Sequence, residues 1–371
     1  MNHSAVAPRL LVAGIAAALG VCIVVASFAY AASRRSTVQH VHQGQSIQAA
    51  IDRAHPGDTI VVSEGVYREN LTVTTDRLTL RGAGDTPGGT ILEPATAPHP
   101  SVCSEFGEVN GICITGSFLK GTSILGKPVS GVTVSGFLVR DFSRMGILVY
   151  NARGTTLSRT RASHSHHFGI AAFSLSGIRL LDNVSDRNGE GGIYVADAAN
   201  ASALISGNAM YRNHGSGGIG LYLRNASNGV VRHNRVEGNC AGIVIANTAH
   251  RRMTGWVVEQ NTVQANTLAC LPVEGGPPLS GLGIALLGTD HTVLRGNVVA
   301  GNYPTEKTPL MGGIIVASSR TFGGLDPTRN LLSNNRVSGN TPADLLYDTS
   351  GSGNRFLRNE CRISSPSSLC H

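Results

Sequence analysis

The chain has 371 residues, of which 46 are glycine and 5% are aromatic, and its formal net charge is +7. Recurrent runs of valine, isoleucine and leucine exclude a disordered polymer, and the lack of a dense Lys/Arg patch interleaved with aromatic residues argues against a nucleic-acid partner. The positive charge fits an acidic polysaccharide as a partner, although solvated surface arginines would give the same balance.

The first predicted element is an uncharged apolar segment at residues 10–32. It is long enough to span a bilayer, yet the Ala-Tyr-Ala sequence at 29–31 is typical of a signal-peptidase site. Arg34 and Arg35 fit poorly with a retained anchor whose C-terminal side is outside. We therefore predict a signal peptide or membrane anchor at residues 1–35 and a monomer that is secreted or at the cell surface, with membrane contact only through this segment.

A short helix and several short strands are predicted next. Ile47, Ala50, Ile51 and Ala54 form an apolar stripe with helical spacing, and the His-Pro-Gly-Asp sequence at 55–58 ends the helix. Apolar runs bounded by turn residues predict strands at 59–62, 70–73, 78–81 and 90–93. Residues 84–128 are rich in Gly and Pro and are interpreted as one coil with a long inserted loop.

A repeated unit then extends from residue 131 to about residue 359, most clearly within residues 178–246. Each copy has an apolar run, an Asn, a second Asn five residues later, a Gly-Ile pair and another apolar run. A period of 20–30 residues is typical of a solenoid, in which each unit buries its apolar face against its neighbours. Two copies carry Pro-containing loops, at 271–280 and 303–310, that we expect to project from one face. Aligning the Gly-Ile pair gives a predicted column of Ile147, Ile170, Ile193, Ile219, Ile243, Ile284 and Ile314.

Six cysteines follow the N-terminal segment as three near pairs. An even number in an exported chain predicts disulfides, whereas metal binding would call for a C-x-x-C spacing that is absent. The spacing alone leaves the connectivity open. The predicted disulfide cysteines are Cys103, Cys113, Cys240, Cys270, Cys361 and Cys370.

Two stretches resemble a known family. The sequence SIQAAIDRAHPGDTIVVSEGVYRENLTV at 46–73 resembles the capping helix and first coil of pectin-lyase-like right-handed parallel β-helices. The Asn-x4-Asn-x-Gly-Ile spacing of the repeats is similar to that in the NosD-like and carbohydrate-binding/sugar-hydrolase repeat class. The resemblance covers residues 46–359. It implies an all-β solenoid at 38–362, plugged at its open end by the short helix and followed by a polar tail at 363–371.

The resemblance implies no single activity, because the family includes lyases, epimerases, hydrolases and non-enzymatic proteins. We interpret the two Asn columns as structural, because Asn tolerates turn conformations and its amide can hydrogen-bond along a stack of coils. Positions that depart from the columns are therefore the candidates for function. Extending the second column backwards gives His164 and then Asp141, and the first gives Arg159 and then Gly136.

A further column, three residues before the aligned isoleucine, contains Arg144, His167, Glu190 and Ser216. In β-elimination or C5 epimerisation of a uronate, a cation must neutralise the carboxylate while a base removes the C5 proton. We assign the cation to Arg144 and the base to His167, with Glu190 or Tyr150 returning a proton or assisting the leaving oxygen. His164 is a fourth catalytic candidate. The candidates for substrate binding are Asp141, Tyr150, Asp186, Asp197 and Tyr222.

Four alternatives remain open. A hydrolase would need two carboxylates, from Asp141, Asp186, Glu190 and Asp197. The histidines at 164–167 could be turn residues at the surface, or His164 and His166 could bind a transition metal; we predict neither a metal site nor a cofactor. The chain lacks the DPH motif of alginate epimerases, so a non-enzymatic surface β-helix that binds glycan or cell-envelope polymer, or a NosD-like accessory protein, is the alternative function.

Overall fold

The structure is a computed structural model that describes residues 35–98, 103, 108–119, 124–272 and 275–370. The predicted signal peptide or anchor lies outside these residues, apart from Arg35. Within the described ranges, no helix is both long and apolar enough to cross a membrane.

Short parallel strands form three long sheets, and each regular coil contributes one strand to each sheet in turn. Sheet A comprises Val38–Val41, Thr59–Val62, Thr79–Arg81, Thr133–Ser135, Thr156–Ser158, Arg179–Leu181, Ala203–Ser206, Gly229–Arg232, Trp256–Glu259, Val293–Arg295, Leu331–Ser333 and Arg355–Leu357. Sheet B comprises Gly65–Arg68, Thr90–Glu93, Phe137–Arg140, Arg161–Ser163, Val184–Asp186, Ala209–Tyr211, Arg235–Glu237, Thr262–Gln264, Val298–Ala300 and Arg336–Ser338. Sheet C comprises Leu71–Val73, Ile112–Thr115, Ile147–Tyr150, Phe168–Phe173, Gly191–Ala196, Ile219–Arg224, Ala241–Ala246, Leu282–Leu287, Gly312–Ala317, Leu345–Tyr347 and Ser364–Ser365.

This architecture confirms the predicted right-handed parallel β-helix. Two pairs of very short strands lie outside the three sheets. They are Val129–Ser130 with Ala152–Arg153, and Met253–Thr254 with Thr289–Asp290.

The predicted N-terminal helix is also confirmed and extends over Ile47–Arg53. The Ser46 hydroxyl accepts a hydrogen bond from the Ala49 N–H at 3.1 Å, and the Glu69 carboxylate accepts from the Ile47 N–H at 2.8 Å. These bonds satisfy N–H groups that the first turn of a helix leaves without partners. The apolar stripe of the helix joins the solenoid core. The strand that precedes the helix, Val38–Val41, was not predicted; it pairs with Thr59–Val62. A second short helix, of the 3-10 type, covers Arg320–Phe322.

Stacked aliphatic residues fill the interior of the coils. In sheet C, Ile193 pairs with Leu221, whereas Ile219 pairs with Gly191. The predicted column is therefore wrong at Ile219, because this coil has extra residues between its second Asn and its strand. The inward column is Leu71, Ile112, Ile147, Ile170, Ile193, Leu221, Ile243, Ile284, Ile314 and Leu345.

Both Asn columns form continuous, buried hydrogen-bonded ladders. In a representative rung, Asn234 Nδ2 donates to Asn261 Oδ1 at 2.9 Å and to the Ile205 carbonyl at 2.9 Å. Its Oδ1 accepts from the backbone N–H of Asn208 at 2.9 Å and from Asn208 Nδ2 at 3.0 Å. The first ladder contains Asn183, Asn208, Asn234, Asn261, Asn297, Asn335 and Asn359. The second contains Asn188, Asn213, Asn239, Asn266, Asn302 and Asn340, whose Nδ2 donates to Asp344 Oδ1 at 3.0 Å.

The predicted backward extension of the second ladder is wrong by one residue. The Ser165 backbone N–H donates to Asn188 Oδ1 at 2.9 Å, so Ser165 and not His164 occupies the ladder position. His164 (φ 55°) and Asp141 (φ 64°) have left-handed backbone conformations in the preceding turn position, and both side chains are exposed. The turn requires a left-handed backbone conformation at the residue immediately before the ladder position. This conformation points the side chain of that residue outwards.

The extension of the first ladder is wrong in the same way. The Thr160 backbone N–H donates to Asn183 Oδ1 at 3.1 Å, so Thr160 occupies the ladder position. Arg159 (φ 47°) and Gly136 (φ 74°) take the left-handed turn position.

Three disulfides join the cysteines as near pairs: Cys103–Cys113, Cys240–Cys270 and Cys361–Cys370. The prediction that all six are disulfide-bonded is confirmed. Because disulfides persist in oxidising compartments, they indicate an extracellular protein.

Asp290 is a buried carboxylate that joins neighbouring coils. Burial alone would raise its pKa, but hydrogen bonds from Thr328, His291, Arg252 and Arg329 outweigh that effect and lower the pKa of Asp290 to about 2. Arg329 Nη2 lies 3.0 Å from both carboxylate oxygens, and Thr328 Oγ1 donates at 2.7 Å. The ionised form of Asp290 therefore stabilises the folded chain.

We predict that Asn234→Ala lowers the free energy of unfolding by about 2–4 kcal/mol, because it leaves several buried polar groups without partners. Urea denaturation followed by circular dichroism measures the effect. The matched control is His233→Asn, an exposed neighbour with φ 54° that Asn accommodates, and it should remain near wild type. Equal stability of the two variants would contradict a stabilising ladder.

A second prediction concerns pH. Asp290 has a folded pKa below its unfolded value, so its stabilisation is fully present above pH ~4 and is lost as pH falls through ~2. Asp290→Asn should therefore destabilise the protein by about 2 kcal/mol at neutral pH, and the difference from wild type should shrink in acid. Urea midpoints of both proteins across this range provide the measurement, and a difference independent of pH would contradict the assignment.

Candidate functional site

Arg144, His167 and Glu190 lie on adjacent coils at the entrance to sheet C. His167 and Glu190 directly precede their strands, and Arg144 lies three residues before Ile147–Tyr150. The His167 N–H donates to the Arg144 carbonyl at 3.0 Å, and the Glu190 N–H donates to the His167 carbonyl at 3.1 Å. This part of the predicted column is therefore correctly in register. Ser216 does not continue it, because Ile219 pairs with Gly191 and so places Gly218 beside Glu190.

The side chains of Arg144 and His167 converge on Glu108, a residue that was not predicted for the site. Arg144 Nη1 lies 2.8 Å from Glu108 Oε2, and His167 Nε2 lies 3.6 Å from Glu108 Oε1. On the other side of the ring, His167 Nδ1 lies 3.0 Å from Glu190 Oε1. We call Glu108, Arg144, His166, His167 and Glu190 the histidine cluster.

The inserted loop that carries Glu108 is fastened to the coil of Arg144. The Asn110 side chain donates to the Cys103 carbonyl at 2.8 Å and accepts from the Met145 N–H at 3.2 Å. The Arg144 N–H donates to the Val109 carbonyl at 3.2 Å. A signal for this placement was present in the sequence, since Gly111 and Ile112 form a Gly-Ile pair like those of the later coils.

The electrostatics of the cluster centre on His167. Its hydrogen bond with Glu190 raises the pKa of His167 above the ordinary 6.5; burial opposes this, the charges of Glu190 and Glu108 reinforce it, and Arg144 opposes it. The side chains of His167, Glu108 and Glu190 are 26%, 32% and 21% exposed. The cluster is therefore half-buried and open to a ligand from solvent.

His166 completes a group that could hold a metal ion. One ligand atom from each of Glu108, His166 and His167 lies within 4.8 Å of the others, and this is the one such group among the described residues. The two imidazole rings meet edge to face, with centroids 5.2 Å apart.

Three predicted site residues are placed away from this cluster. His164 lies in its exposed turn and contacts the Ser163 hydroxyl at 2.7 Å, and Asp141 is likewise an exposed turn residue. Asp186 is fully buried on sheet B, where Arg161 binds both of its carboxylate oxygens at 2.8 Å. Asp141 and Asp186, two of the carboxylates considered for a hydrolase, are thus not brought to Glu190, and Asp186 has a structural role.

The predicted tyrosines lie on the outer face of sheet C. Tyr222 stacks on Tyr194 at 4.9 Å, and Tyr194 stacks on Phe168, the residue after His167, at 4.5 Å. Tyr194 and Tyr222 are 1% and 8% exposed, so this aromatic row is largely covered. Tyr150 lies at the last position of its strand and stacks on Phe118 at 5.8 Å.

Further along the same face is a cleft of about 340 Å³. Arg224 lies at its wall, 5.7 Å above the Tyr194 ring, and its Nη2 is 3.6 Å from Asp197 Oδ2. Both predicted loops contribute to the cleft, 271–280 through Leu279 and 303–310 through Leu310. The outer face of sheet C therefore changes from charged at the histidine cluster to mainly apolar at the cleft.

Comparison with known proteins agrees with this architecture. The family model described as right-handed beta helix region matches residues 122–322, more than half of the chain. No curated protein sequence matches significantly.

Several solved structures are similar in fold. The A-module of the Azotobacter vinelandii mannuronan C-5 epimerase AlgE6 is 16% identical, with a TM-score of 0.58 over 84% of this chain and 88% of that one. The AlgE4 A-module from the same organism is 15% identical, with a TM-score of 0.53 over 86% and 90%. The DFA-IIIase of Arthrobacter chlorophenolicus A6 in complex with GF2 is 15% identical, with a TM-score of 0.52 over 85% and 77%.

Proposed function

We propose, from the premise that the chain belongs to the right-handed β-helix family, that it is an exported enzyme acting on an acidic polysaccharide. The proposed reaction is proton transfer at C5 of a uronate, leading to β-elimination or epimerisation. The observation that carries the proposal is the juxtaposition of a guanidinium and a carboxylate-bound imidazole, Arg144 and His167, around Glu108. The similar folds of two mannuronan C-5 epimerase modules lend support at the level of the scaffold.

The first step is recognition of the uronate carboxylate. Arg144 binds a carboxylate, that of Glu108, at 2.8 Å. A substrate carboxylate that takes this place would be neutralised by the same guanidinium. Neutralisation stabilises the negative charge that develops when C5 loses its proton. The exchange also moves Glu108 away from His167 Nε2, which then faces the C5 proton.

The second step is proton removal by His167. Glu190, 3.0 Å from Nδ1, accepts the Nδ1–H and so keeps the lone pair of the neutral ring on Nε2. Glu190 is therefore a positioning residue in this scheme. In elimination, the C5–H electron pair forms the C4–C5 double bond and the C4–O bond breaks. In epimerisation, C5 is reprotonated from its other face.

Tyr150 is too far from His167 to return the proton or to assist the leaving oxygen. Tyr150 pairs with Phe173, the last residue of the strand whose first residue, Phe168, follows His167. Five residues of extended chain span roughly 16 Å, too far for a proton transfer at the same sugar carbon. In elimination, the proton that His167 removes from C5 is therefore the one passed to the leaving oxygen, and in epimerisation solvent supplies the proton that reaches the other face of C5.

The second candidate function is glycan binding without catalysis. It is favoured by the ion pair that already engages Arg144 with Glu108 and by the aromatic row beside it. A surface β-helix of this kind would bind the same acidic polysaccharide and leave it unchanged. The two functions make opposite predictions for substrate turnover.

We predict that the purified protein converts at least one of pectate, alginate or a glycosaminoglycan. The readouts are ultraviolet absorbance of unsaturated uronates and NMR of the C5 stereochemistry. His167→Ala should lower the rate by about 10²–10⁴-fold, because it removes a general base. His233→Asn, an exposed histidine on a different coil, is the matched control and should keep the wild-type rate.

No conversion of any of these polymers would contradict the enzyme proposal. Retained binding in that case, measured on a glycan array, would establish the second candidate. Conversion that survives His167→Ala would show that the catalytic group lies elsewhere.

A further inference from the structure

We propose that Glu108, His166 and His167 form a binding site for one divalent transition-metal ion of the zinc class. His166 and His167 come from one coil and Glu108 from an inserted loop, and one ligand atom from each of the three lies within 4.8 Å of the others. Two imidazoles and one carboxylate are a ligand set that zinc sites use when they keep a fourth position for water or substrate.

One pair of ligand atoms has nearly the spacing that a bound ion requires. Zinc lies ~2.0–2.1 Å from nitrogen and oxygen ligands, so two ligands on a tetrahedral ion are about 3.3 Å apart. His167 Nε2 and Glu108 Oε1 are 3.6 Å apart. An ion would fit between them with little movement, while exposed His166 can rotate to supply the third ligand.

Neighbouring side chains already orient these two ligands. Glu190 contacts His167 Nδ1 at 3.0 Å, which leaves Nε2 to face the ion. Arg144 contacts Glu108 Oε2 at 2.8 Å, which leaves Oε1 on the same side. Metal-binding histidines commonly donate their second ring N–H to a carboxylate, and this contact fixes the ring and increases its basicity.

The ligand types also select among metals. Imidazole nitrogen suits zinc, cobalt, nickel and copper, whereas calcium takes six to eight oxygen ligands and magnesium an octahedral oxygen shell. The site should therefore bind Co²⁺ and Zn²⁺ and reject Ca²⁺ and Mg²⁺.

Metal binding would regulate the proposed reaction, because the ion and the C5 proton compete for the same nitrogen, His167 Nε2. This consequence rests on the proposed function. The binding site itself does not, since it can be measured without a substrate.

The test is a Co²⁺ titration of the full chain after treatment with a chelator and dialysis, followed by visible absorption. We expect one saturable site with the spectrum of four-coordinate Co²⁺, displaced by Zn²⁺ and unaffected by Ca²⁺. His166→Asn should weaken binding at least ~10-fold through loss of a ligand, and Glu190→Gln about 10–100-fold through loss of ring orientation. His233→Asn should bind like wild type.

Absence of saturable Co²⁺ binding, or equal affinity of wild type and His166→Asn, would overturn the site. Because His166 is exposed, its variant should fold normally, and circular dichroism verifies this. If a polyuronate is converted, Zn²⁺ should inhibit the conversion. Full activity with a saturated site would overturn the competition while leaving the binding site intact.

Discussion

Stacked asparagine carboxamides are the interaction on which the rest of this structure depends. Each ladder Asn is buried at a corner of the coil and is bonded to the coils before and after it. A carboxamide that donates to one neighbour and accepts from the other fits only when all coils are in register. Burial enforces the correct register of the coils, because an unpaired amide in the interior costs roughly 1–3 kcal/mol. The ladders thereby fix the strand pairing of all three sheets.

The register in turn decides which side chains meet on the outer face of sheet C. Arg144, His167 and Glu190 are adjacent because each lies three residues before the inward isoleucine of its sheet C strand, and these isoleucines are paired. The inserted loops complete this face. One loop brings Glu108 to His167, and two others line the apolar cleft near Tyr222. A regular scaffold with irregular insertions therefore separates stability from chemistry, and substitutions in the insertions can alter the site without disturbing the ladders.

Much of the scaffold was predictable because its signals are local. The helix at Ile47–Arg53, the repeat and the cysteine pairs each depend on short-range spacing. The errors arose where coil length changes. The extra residues before Leu221 displaced the predicted column and made Ser216 a false member, and His164 was placed on a rung that Ser165 occupies. Glu108 was missed because its position follows from a loop fastened by a disulfide and by side-chain contacts, which repeat spacing does not encode.

The direction of the hydrogen bonds in the second Asn ladder explains why a carboxylate lies at its C-terminal end. Each carboxamide uses one Nδ2–H to donate to the next side chain towards the C-terminal end and accepts through Oδ1 from the preceding coil, so the side-chain row is a chain of aligned dipoles with its positive end at Asn340. Asp344 receives that end, accepting from the Asn340 side chain at 3.0 Å and from the Arg362 N–H at 3.0 Å, and is only 2% exposed. Aligned hydrogen bonds polarise one another, so the ladder as a whole stabilises negative charge on this buried carboxylate. The solenoid thus carries an electrical polarity along its axis, much as a helix does, and a single carboxylate terminates it.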